Sequence, residues 1–197
     1  MQKTVMEVKQ MKDFDSDVRR EAAEVFVDGY KKELGFFSKD RKNLVAAFQK
    51  MLNPKVLYLA MLNGEIVGIL ACSNNKARGL NIDRHTLKKH FGFVKGNLGY
   101  HFMKNDFNKK LPYEDGTGYI ECVATSVKAR GKGVSTALFQ HVLQHASYRR
   151  FILEVVDTNK IAYHMYAKLG FSDMERKKER FSSFKGFKER IYMKLEI

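Results

Sequence analysis

Apolar residues recur along this chain at two spacings, and the change from one to the other predicts where strands and helices lie. Residues 5–11 alternate between apolar and polar side chains, which is typical of a strand. Apolar positions within residues 18–30 then recur at helical spacing and predict a helix with Ser16 as its N-cap that ends at Gly35. A second helix is expected over residues 39–52, before a proline.

The middle of the chain predicts a hairpin followed by a long connection. Residues 56–62 and 65–73 form the strands of the hairpin, because Asn63 and Gly64 make the commonest two-residue turn. Residues 74–118 separate it from the next strand, and so long a connection is expected to carry structure of its own. Its apolar residues at helical spacing are Leu87, Phe91, Val94, Leu98 and Phe102.

Two interpretations of residues 74–118 stay open. Gly92, Gly96 and Gly99 form a separate stripe that would permit close approach of another backbone, which suits a lid over a substrate site. The apolar stripe suits a helix that covers the sheet, and this interpretation is favoured because apolar stripes usually face a core.

The second half of the chain predicts strands that alternate with helices. The whole order, β-α-α-β-β-(insert)-β-α-β-α-β-β, indicates a mixed α/β sheet flanked by helices. A chain of 197 residues with 44% apolar residues can bury one core, so a single domain over residues 1–197 is expected. The later strands are expected at residues 119–125, 151–156, 171–175 and 189–196, and the helices at residues 134–146 and 160–169.

The most informative local pattern is a basic loop that follows the strand at residues 119–125. Gly131 and Gly133 can adopt backbone angles closed to other residues and let an anion approach the main chain. The first N–H groups of the next helix, with Arg130 and Lys132, would surround the same point. The pattern therefore predicts a pyrophosphate site.

Two common phosphate-binding loops do not fit this segment. The nucleoside triphosphate loop is absent, and a dinucleotide fingerprint would need a third glycine where the chain has Thr136. Arg130 to Ser135 instead resembles the Gln/Arg-x-x-Gly-x-Gly/Ala signature of the GNAT superfamily of acyl-CoA-dependent N-acyltransferases, with Ser135 in the last position. A second segment, running from Asn159 through Tyr166 to Phe171, resembles the other cofactor segment of that superfamily and follows in the right order.

The resemblance implies a GNAT-like fold, with a mixed, mostly antiparallel twisted sheet that binds acetyl-CoA. It implies transfer of an acetyl group to a primary amine by direct attack in a ternary complex. A nonenzymatic acyl-CoA-binding module on the same fold is the alternative. The residues that the resemblance assigns to the cofactor are Val123, Ala124, Thr125, Arg130, Gly131, Lys132, Gly133, Val134, Ser135, Thr136 and Asn159.

Three residues are candidates for the chemistry that the resemblance implies. Glu121 or Glu154 would act as the base, because an amine with a pKa of about 10 is neutral only about one part in a thousand at pH 7. Tyr166 would protonate the departing thiolate, and its spacing from Glu154 resembles that of bacterial enzymes that acetylate ribosomal-protein N-termini. The structural alternatives are paired strand carboxylates, an ordinary helix N-cap at Asn159, and a tyrosine that fills the core.

Charge and composition limit the classes of partner that the protein is expected to bind. The net charge of +14 suits coenzyme A, a nucleic acid or simply a solvated lysine-rich surface. No helix-turn-helix, zinc or RNA-binding pattern accompanies it, so nucleic acid is the less favoured partner. No metal site is expected, because His141 and His145 lack a third ligand. Cys72 and Cys122 lie in apolar runs and are expected to be buried thiols.

The remaining expectations concern location and the acceptor. The first seven residues lack signal-peptide character, so a cytoplasmic protein without a membrane partner is expected. The acceptor, a small amine or a peptide or protein amine, is expected to contact residues 12–52 and 74–118. The segment 74–118 is expected to form a helical cover beside the acceptor opening, on the face of the sheet that the cofactor does not fill. A homodimer is left open.

Overall fold

The computed structural model describes residues 5–179 and 186–197. Residues 1–4, the start of the segment without signal-peptide character, and residues 180–185 lie outside this description. The strands are β1 (Met6–Gln10), β2 (Leu57–Leu62), β3 (Glu65–Ser73), β4 (Thr117–Thr125), β5 (Arg150–Val156), β6 (Ser172–Lys178) and β7 (Glu189–Glu196). The helices are α1 (Arg19–Gly29), α2 (Lys31–Leu34), α3 (Arg41–Phe48), α4 (Arg84–Phe91), α5 (Phe93–Phe107), α6 (Val134–His145) and α7 (Lys160–Lys168). Each predicted strand is present, and each predicted helical region contains a helix.

The described strands form one sheet in the order β1-β2-β3-β4-β5-β7-β6. Neighbouring strands pair antiparallel, with the exception of β4 and β5, which run parallel. A parallel pair requires a crossover connection, and α6 lies in that connection. The expected mixed, mostly antiparallel sheet is therefore confirmed.

The two central strands separate before they end. Pairing between β4 and β5 extends only as far as Ile120 opposite Leu153. Beyond this pair β4 continues to Thr125 and β5 to Val156. An opening therefore lies between the two strands, and β4 has main-chain groups along it that β5 does not pair.

A bulge in β4 begins at the same point. Glu121 lies opposite Ala71 and Ala124 lies opposite Ile69, so Cys122 and Val123 together face one residue of β3. Cys122 has a φ of 55°, in the left-handed region. A bulge bends its strand and increases the local twist, which turns the end of β4 away from β5.

Helices cover both faces of the sheet. One face packs against α1, α3 and α4 around a core that includes Phe26, Phe48, Ile69 and Leu87. The other face packs against α6 and α7 around a core that includes Leu138, Phe139, Phe151, Leu153 and Tyr166. The bulge reverses the direction of β4 side chains, because Ile120 belongs to the second core whereas Cys122 and Ala124 belong to the first.

The insert forms two helices, because Gly92 breaks the predicted one. Gly92 has a φ of 81°, which favours glycine, and it separates α4 from α5. A Cβ at Gly96 would lie 2.6 Å from the backbone of Lys88, and one at Gly99 would lie 2.0 Å from the ring of Phe37. The glycine stripe therefore lets α5 pack closely against α4 and Phe37.

The expectation that the apolar stripe faces the core is wrong beyond this break. Leu87 is fully buried, but Val94, Leu98 and Phe102 are 75%, 44% and 64% exposed. The reason is that α5 turns its small residues inward, where Gly96 and Gly99 are buried.

The first helical region is also shorter than predicted. α1 begins after Val18 without a capping bond from a side chain, so Ser16 is not its N-cap. The helix ends near Tyr30, and α2 continues the segment to Leu34.

The expectation for the cysteines is confirmed, because both thiols are free and buried. Within the described residues, no helix is long and apolar enough to cross a bilayer.

Candidate active site

The basic loop between β4 and α6 presents a row of main-chain donors. Gly133 is the N-cap residue of α6, and Gly131 and Gly133 have φ values of 75° and 77°. The first hydrogen bond of the helix runs from the Ala137 N–H to the Gly133 carbonyl at 2.9 Å, so the N–H groups of Val134 to Thr136 have no helical acceptor. A Cβ at either glycine would meet no atom within 4 Å, so the loop faces open space.

The side chains of this loop and its neighbours fit the predicted anion site. Arg130 and Lys132 are exposed beside the free N–H groups. The hydroxyls of Thr125 and Ser135 lie 3.0 Å apart, which connects the end of β4 to the first turn of α6. The buried hydroxyl of Ser126, next to this bond, has no hydrogen-bond partner among the described residues.

The second predicted segment lies on the same side of the sheet as α6. Asn159 caps α7, because its Oδ1 accepts from the Ala162 N–H at 3.2 Å. The N-cap interpretation is therefore confirmed, while a contact between Asn159 and the cofactor stays a prediction. This cap fixes the start of the helix that positions Tyr166.

Tyr166 is a buried residue of the core that packs against α6 and α7. Its ring centroid lies 5.2 Å from that of Phe139 and 6.3 Å from that of Phe171. Burial raises the pKa of Tyr166 to about 12, so its phenol keeps its proton at neutral pH. Burial, followed by the charges of Cys122 and Tyr166, raises the pKa of Tyr30 well above its usual value.

Tyr30 is a polar residue of the site that the sequence analysis missed. Its hydroxyl donates to the Val123 carbonyl at 3.4 Å, at the bulge of β4. Its ring packs 4.9 Å from that of Phe26. Tyr30 occupies an apolar position of the first helical stripe, and no motif in the sequence marks its hydroxyl. Only the tertiary contact across 93 positions in the sequence reveals it.

Glu121 lies at the strand opening with its carboxylate fully engaged. It accepts from the Ser73 hydroxyl, from the Gly79 N–H at 2.9 Å, and from Arg78 Nη2 at 2.6 Å. Arg78 also donates to the main-chain carbonyls of Asp106 and Lys109, at 2.6 and 2.8 Å. These contacts match the structural alternative for Glu121, a carboxylate paired with arginine, and its role as a base stays a prediction.

Glu154 is less enclosed than Glu121 and has one cationic partner. Its carboxylate contacts Arg190, which also pairs with Glu179 at 2.8 Å. Tyr192 lies opposite Glu154 on the neighbouring strand. Burial, followed by the charge and hydrogen bond of Glu154, raises the pKa of Tyr192. Glu154 is therefore the more exposed of the two carboxylates, since its side chain is 21% exposed and that of Glu121 is 9% exposed.

A cavity of about 640 Å³ brings the two candidate carboxylates together. Glu121, Glu154 and Tyr30 line it, and so do residues of α5 and of the following segment 109–113. The basic loop, Asn159 and Tyr166 do not line it, because they belong to the opposite layer. The insert thus lies on the layer of α1 and α3 and lines the cavity, while its place beside an acceptor, opposite the cofactor, stays a prediction.

The sequence pattern of the Acetyltransferase (GNAT) family matches residues 18–171, a range that includes the basic loop, the strand opening and α7. This chain belongs to the acetyltransferase (GNAT) family. The resemblance drawn from the two motifs is thereby confirmed. Comparison with curated protein sequences gives no match.

Solved structures of GNAT proteins share the fold at low sequence identity. An N-acetyltransferase from Staphylococcus aureus Mu50 has a TM-score of 0.64 and 14% identity, covering 96% of this chain and 100% of that one. The ribosomal-protein-S18-alanine N-acetyltransferase from Escherichia coli has a TM-score of 0.59 and 12% identity, covering 98% and 94%. A GNAT family acetyltransferase from Elizabethkingia anophelis with acetyl-CoA bound has a TM-score of 0.54 and 14% identity, covering 100% of both chains.

Proposed function

We propose that this GNAT protein is an N-acetyltransferase that moves an acetyl group from acetyl-CoA to a primary amine by direct attack in a ternary complex. The observation that carries the proposal is the opening between β4 and β5. Free main-chain donors of the basic loop lie on one side of it, and a cavity with a carboxylate lies on the other. The donor and the acceptor can therefore approach the same point from opposite layers. Residues 1–197 are proposed to act as one such domain, with the insert at residues 74–118.

The residues of the basic loop fit the pyrophosphate of acetyl-CoA. The N–H groups of Val134, Ser135 and Thr136 point away from the helix without acceptors, and the partial positive charge of a helix start favours an anion there. Arg130 and Lys132 add two exposed positive charges. The unpaired edge of β4 at residues 123–125 and Asn159 would hold the pantetheine arm. When bound, acetyl-CoA supplies an activated acetyl thioester.

The main chain of β4 would stabilise the oxyanion. The bulge leaves the N–H of Val123 in a segment that β5 does not pair. A preorganised N–H aimed at a developing oxyanion is commonly worth about 3–4 kcal/mol of barrier reduction. The hydrogen bond from Tyr30 to the Val123 carbonyl would help to hold the bulge, by fixing the peptide unit that follows this N–H.

Glu154 would accept the proton of the attacking amine. An amine with a pKa of about 10 is neutral only about one part in a thousand at pH 7, a handicap of about 4 kcal/mol that a base reduces. Tyr166 would donate a proton to the departing thiolate, since its phenol remains protonated far above neutral pH. The base and the acid would thus act from opposite layers of the sheet.

The proposal is tested by binding and turnover measured on the same protein. Calorimetry should show binding of coenzyme A, and mass spectrometry should show acetylated product when acetyl-CoA and primary amines are supplied. Binding without product from a broad set of amines would favour the nonenzymatic acyl-CoA-binding module. Binding of DNA or RNA that disappears with salt, without binding of coenzyme A, would leave only an electrostatic interaction.

A further inference from the structure

One face of α5 presents apolar side chains to solvent. Val94, Leu98 and Phe102 follow one another at intervals of four residues, which places them on the same exposed face of the helix. Phe36 extends this face, because it is exposed and its ring centroid lies 6.3 Å from that of Phe102. Contiguous exposed apolar side chains of this kind mark a surface for a protein partner or a membrane.

The corner between α4 and α5 projects into solvent. Residues 92–95 are consecutive and exposed, and within them Phe93 and Val94 are 71% and 75% exposed. A Cβ at Gly92 would meet no atom within 4 Å, so the chain turns there in open space. The apolar pair Phe93 and Val94 therefore stands clear of the rest of the protein.

Positive charge surrounds this corner. Residues 84–105 contain five Lys and Arg side chains, three His and no Asp or Glu. The Lys88 Nζ lies 5.1 Å from the centroid of the Phe93 ring. The carboxylates that flank this range, Asp83 and Asp106, lie at the other end of the two helices from the corner. An anionic partner is therefore favoured here.

The neighbouring helix α3 does not offset this charge. Asn43 donates to the His90 carbonyl at 2.7 Å, so the start of α3 lies beside the end of α4. Residues 39–50 contain four Lys and Arg side chains and a single carboxylate. One of these cations, Arg41, is already paired with Asp28 at 2.7 Å. Cations thus remain in excess around the corner.

We propose that the corner and the exposed face of α5 adsorb to an anionic phospholipid bilayer. Phe93 and Val94 would enter the interfacial region, Leu98 and Phe102 would lie along it, and the lysines would lie at the level of the headgroups. Exposed Phe and Leu side chains on a helix rich in Lys and Arg are typical of this mode of binding. The contact goes beyond the acetyl transfer proposed above and does not depend on it.

Adsorption to the surface differs from crossing the bilayer. No helix of the described residues is long and apolar enough to span it, whereas a helix that lies in the interface needs only one apolar face. The sequence analysis expected no membrane partner because it found no signal-peptide character. That criterion does not apply to an exposed face that forms only when the chain folds.

Two other occupants fit this surface less well. A second copy of the chain in a symmetric contact would bring two cation-rich surfaces together, and their charges would repel. A helix of a partner protein usually docks into a groove, whereas Phe93 and Val94 protrude. A fluid bilayer accepts protruding apolar side chains and requires no matching shape.

The first test uses the lack of tryptophan in the chain. Phe93→Trp gives the full chain a single indole fluorophore at the corner, and Ile161→Trp gives one at an 87% exposed position on α7, in the opposite layer. Phosphatidylcholine vesicles with about one quarter phosphatidylglycerol should shift the emission of Phe93→Trp to shorter wavelength and leave that of Ile161→Trp unchanged. No shift at position 93, or equal shifts at both positions, would overturn the proposal.

The second test separates this surface from the overall charge of +14. Lys95→Glu and Lys168→Glu change the net charge equally, and Lys168 is exposed in the last turn of α7. In co-sedimentation with the same vesicles, Lys95→Glu should weaken binding by about fivefold to thirtyfold, and Lys168→Glu by about twofold at most. Equal losses would mean attraction by net charge alone and would overturn the proposal.

The apolar contribution is measured in the same assay. Phe93→Ala should weaken vesicle binding by about threefold to thirtyfold, and Ile161→Ala, its matched control, should leave binding unchanged. Sedimentation without vesicles tests the second copy. A dimer that Phe93→Ala dissociates, in a protein that does not bind the vesicles, would overturn the bilayer contact. The vesicle measurements need no acetyl-CoA, so their failure and that of the proposed acetyl transfer are distinguishable.

Discussion

Replacement of Arg78 by methionine should destabilise the protein far more than the loss of an ordinary surface cation. The side chains of Arg78 and Glu121 are only 10% and 9% exposed, and they meet through two contacts of 2.6 and 3.2 Å. Arg78→Met would leave the Glu121 carboxylate buried with no cation, and it would remove the donors to the carbonyls of Asp106 and Lys109. Removing one partner of a buried ion pair typically costs about 3–5 kcal/mol.

The control variant is Lys76→Met, two residues earlier. Lys76 pairs with Asp115 at 3.3 Å, but these side chains are 76% and 70% exposed. An exposed pair contributes about 0–1 kcal/mol, so Lys76→Met should unfold almost as the parent protein does. Urea denaturation gives both free energies of unfolding. A loss for Arg78→Met no larger than that for Lys76→Met would refute the anchoring role of the pair.

Glu121→Gln distinguishes the structural role of this carboxylate from the catalytic one. Glutamine keeps an oxygen for the Gly79 N–H but loses the charge that Arg78 requires, so stability should fall by about 1–3 kcal/mol. Hydrogen exchange should become faster in α5, which the pair anchors. Normal stability and exchange, together with low turnover that recovers at high pH, would instead identify Glu121 as the base.

Three further predictions concern the opening between the strands. Gly133→Asp should weaken the binding of coenzyme A far more than Lys132→Ala does, because aspartate strains a φ of 77° and adds a negative charge. Equal losses of affinity in calorimetry would contradict a main-chain anion site. Glu154→Gln should lower turnover at neutral pH and recover in part at higher pH, and an unchanged pH-rate profile would remove Glu154 as the base. Tyr166→Phe should reduce turnover by about tenfold to a thousandfold with little change in coenzyme A affinity, and normal turnover would leave Tyr166 as a packing residue.

The order of elements could be predicted because it depends on local patterns. Most strands and helices have a spacing of apolar residues that is visible in the sequence, with the exposed strand β6 as an exception, and Asn63 and Gly64 fix the first hairpin. Which face of the insert is buried could not be predicted, because its glycines and its apolar residues form two separate stripes and either stripe could face the core. Gly99 packs against Phe37, a residue far away in the sequence, and this contact decides which stripe is buried.

The site was predictable only where strand, loop and helix follow one another directly. The motifs located the loop and Tyr166 because each lies within one short segment. The partners of the carboxylates, Arg78 and Arg190, lie 43 and 36 positions away from them. No sequence pattern connects residues at such separations, so the strength of each pairing could be seen only in the folded chain.

Because of the bulge in β4, the side chains that line the cavity and those that face α6 can vary independently. Before the bulge, Tyr119 and Glu121 point into the cavity, whereas after it Val123 packs against the opposite core. The side chains of β4 therefore change face between the half that lines the cavity and the half that packs against the core of α6 and α7. Substitutions at position 119 can change the shape of the cavity without altering side chains that face α6, whereas position 121 is held by its buried pair with Arg78. Under the proposed function, the cavity side of β4 can therefore change with the acceptor while the side chains on the α6 side stay the same.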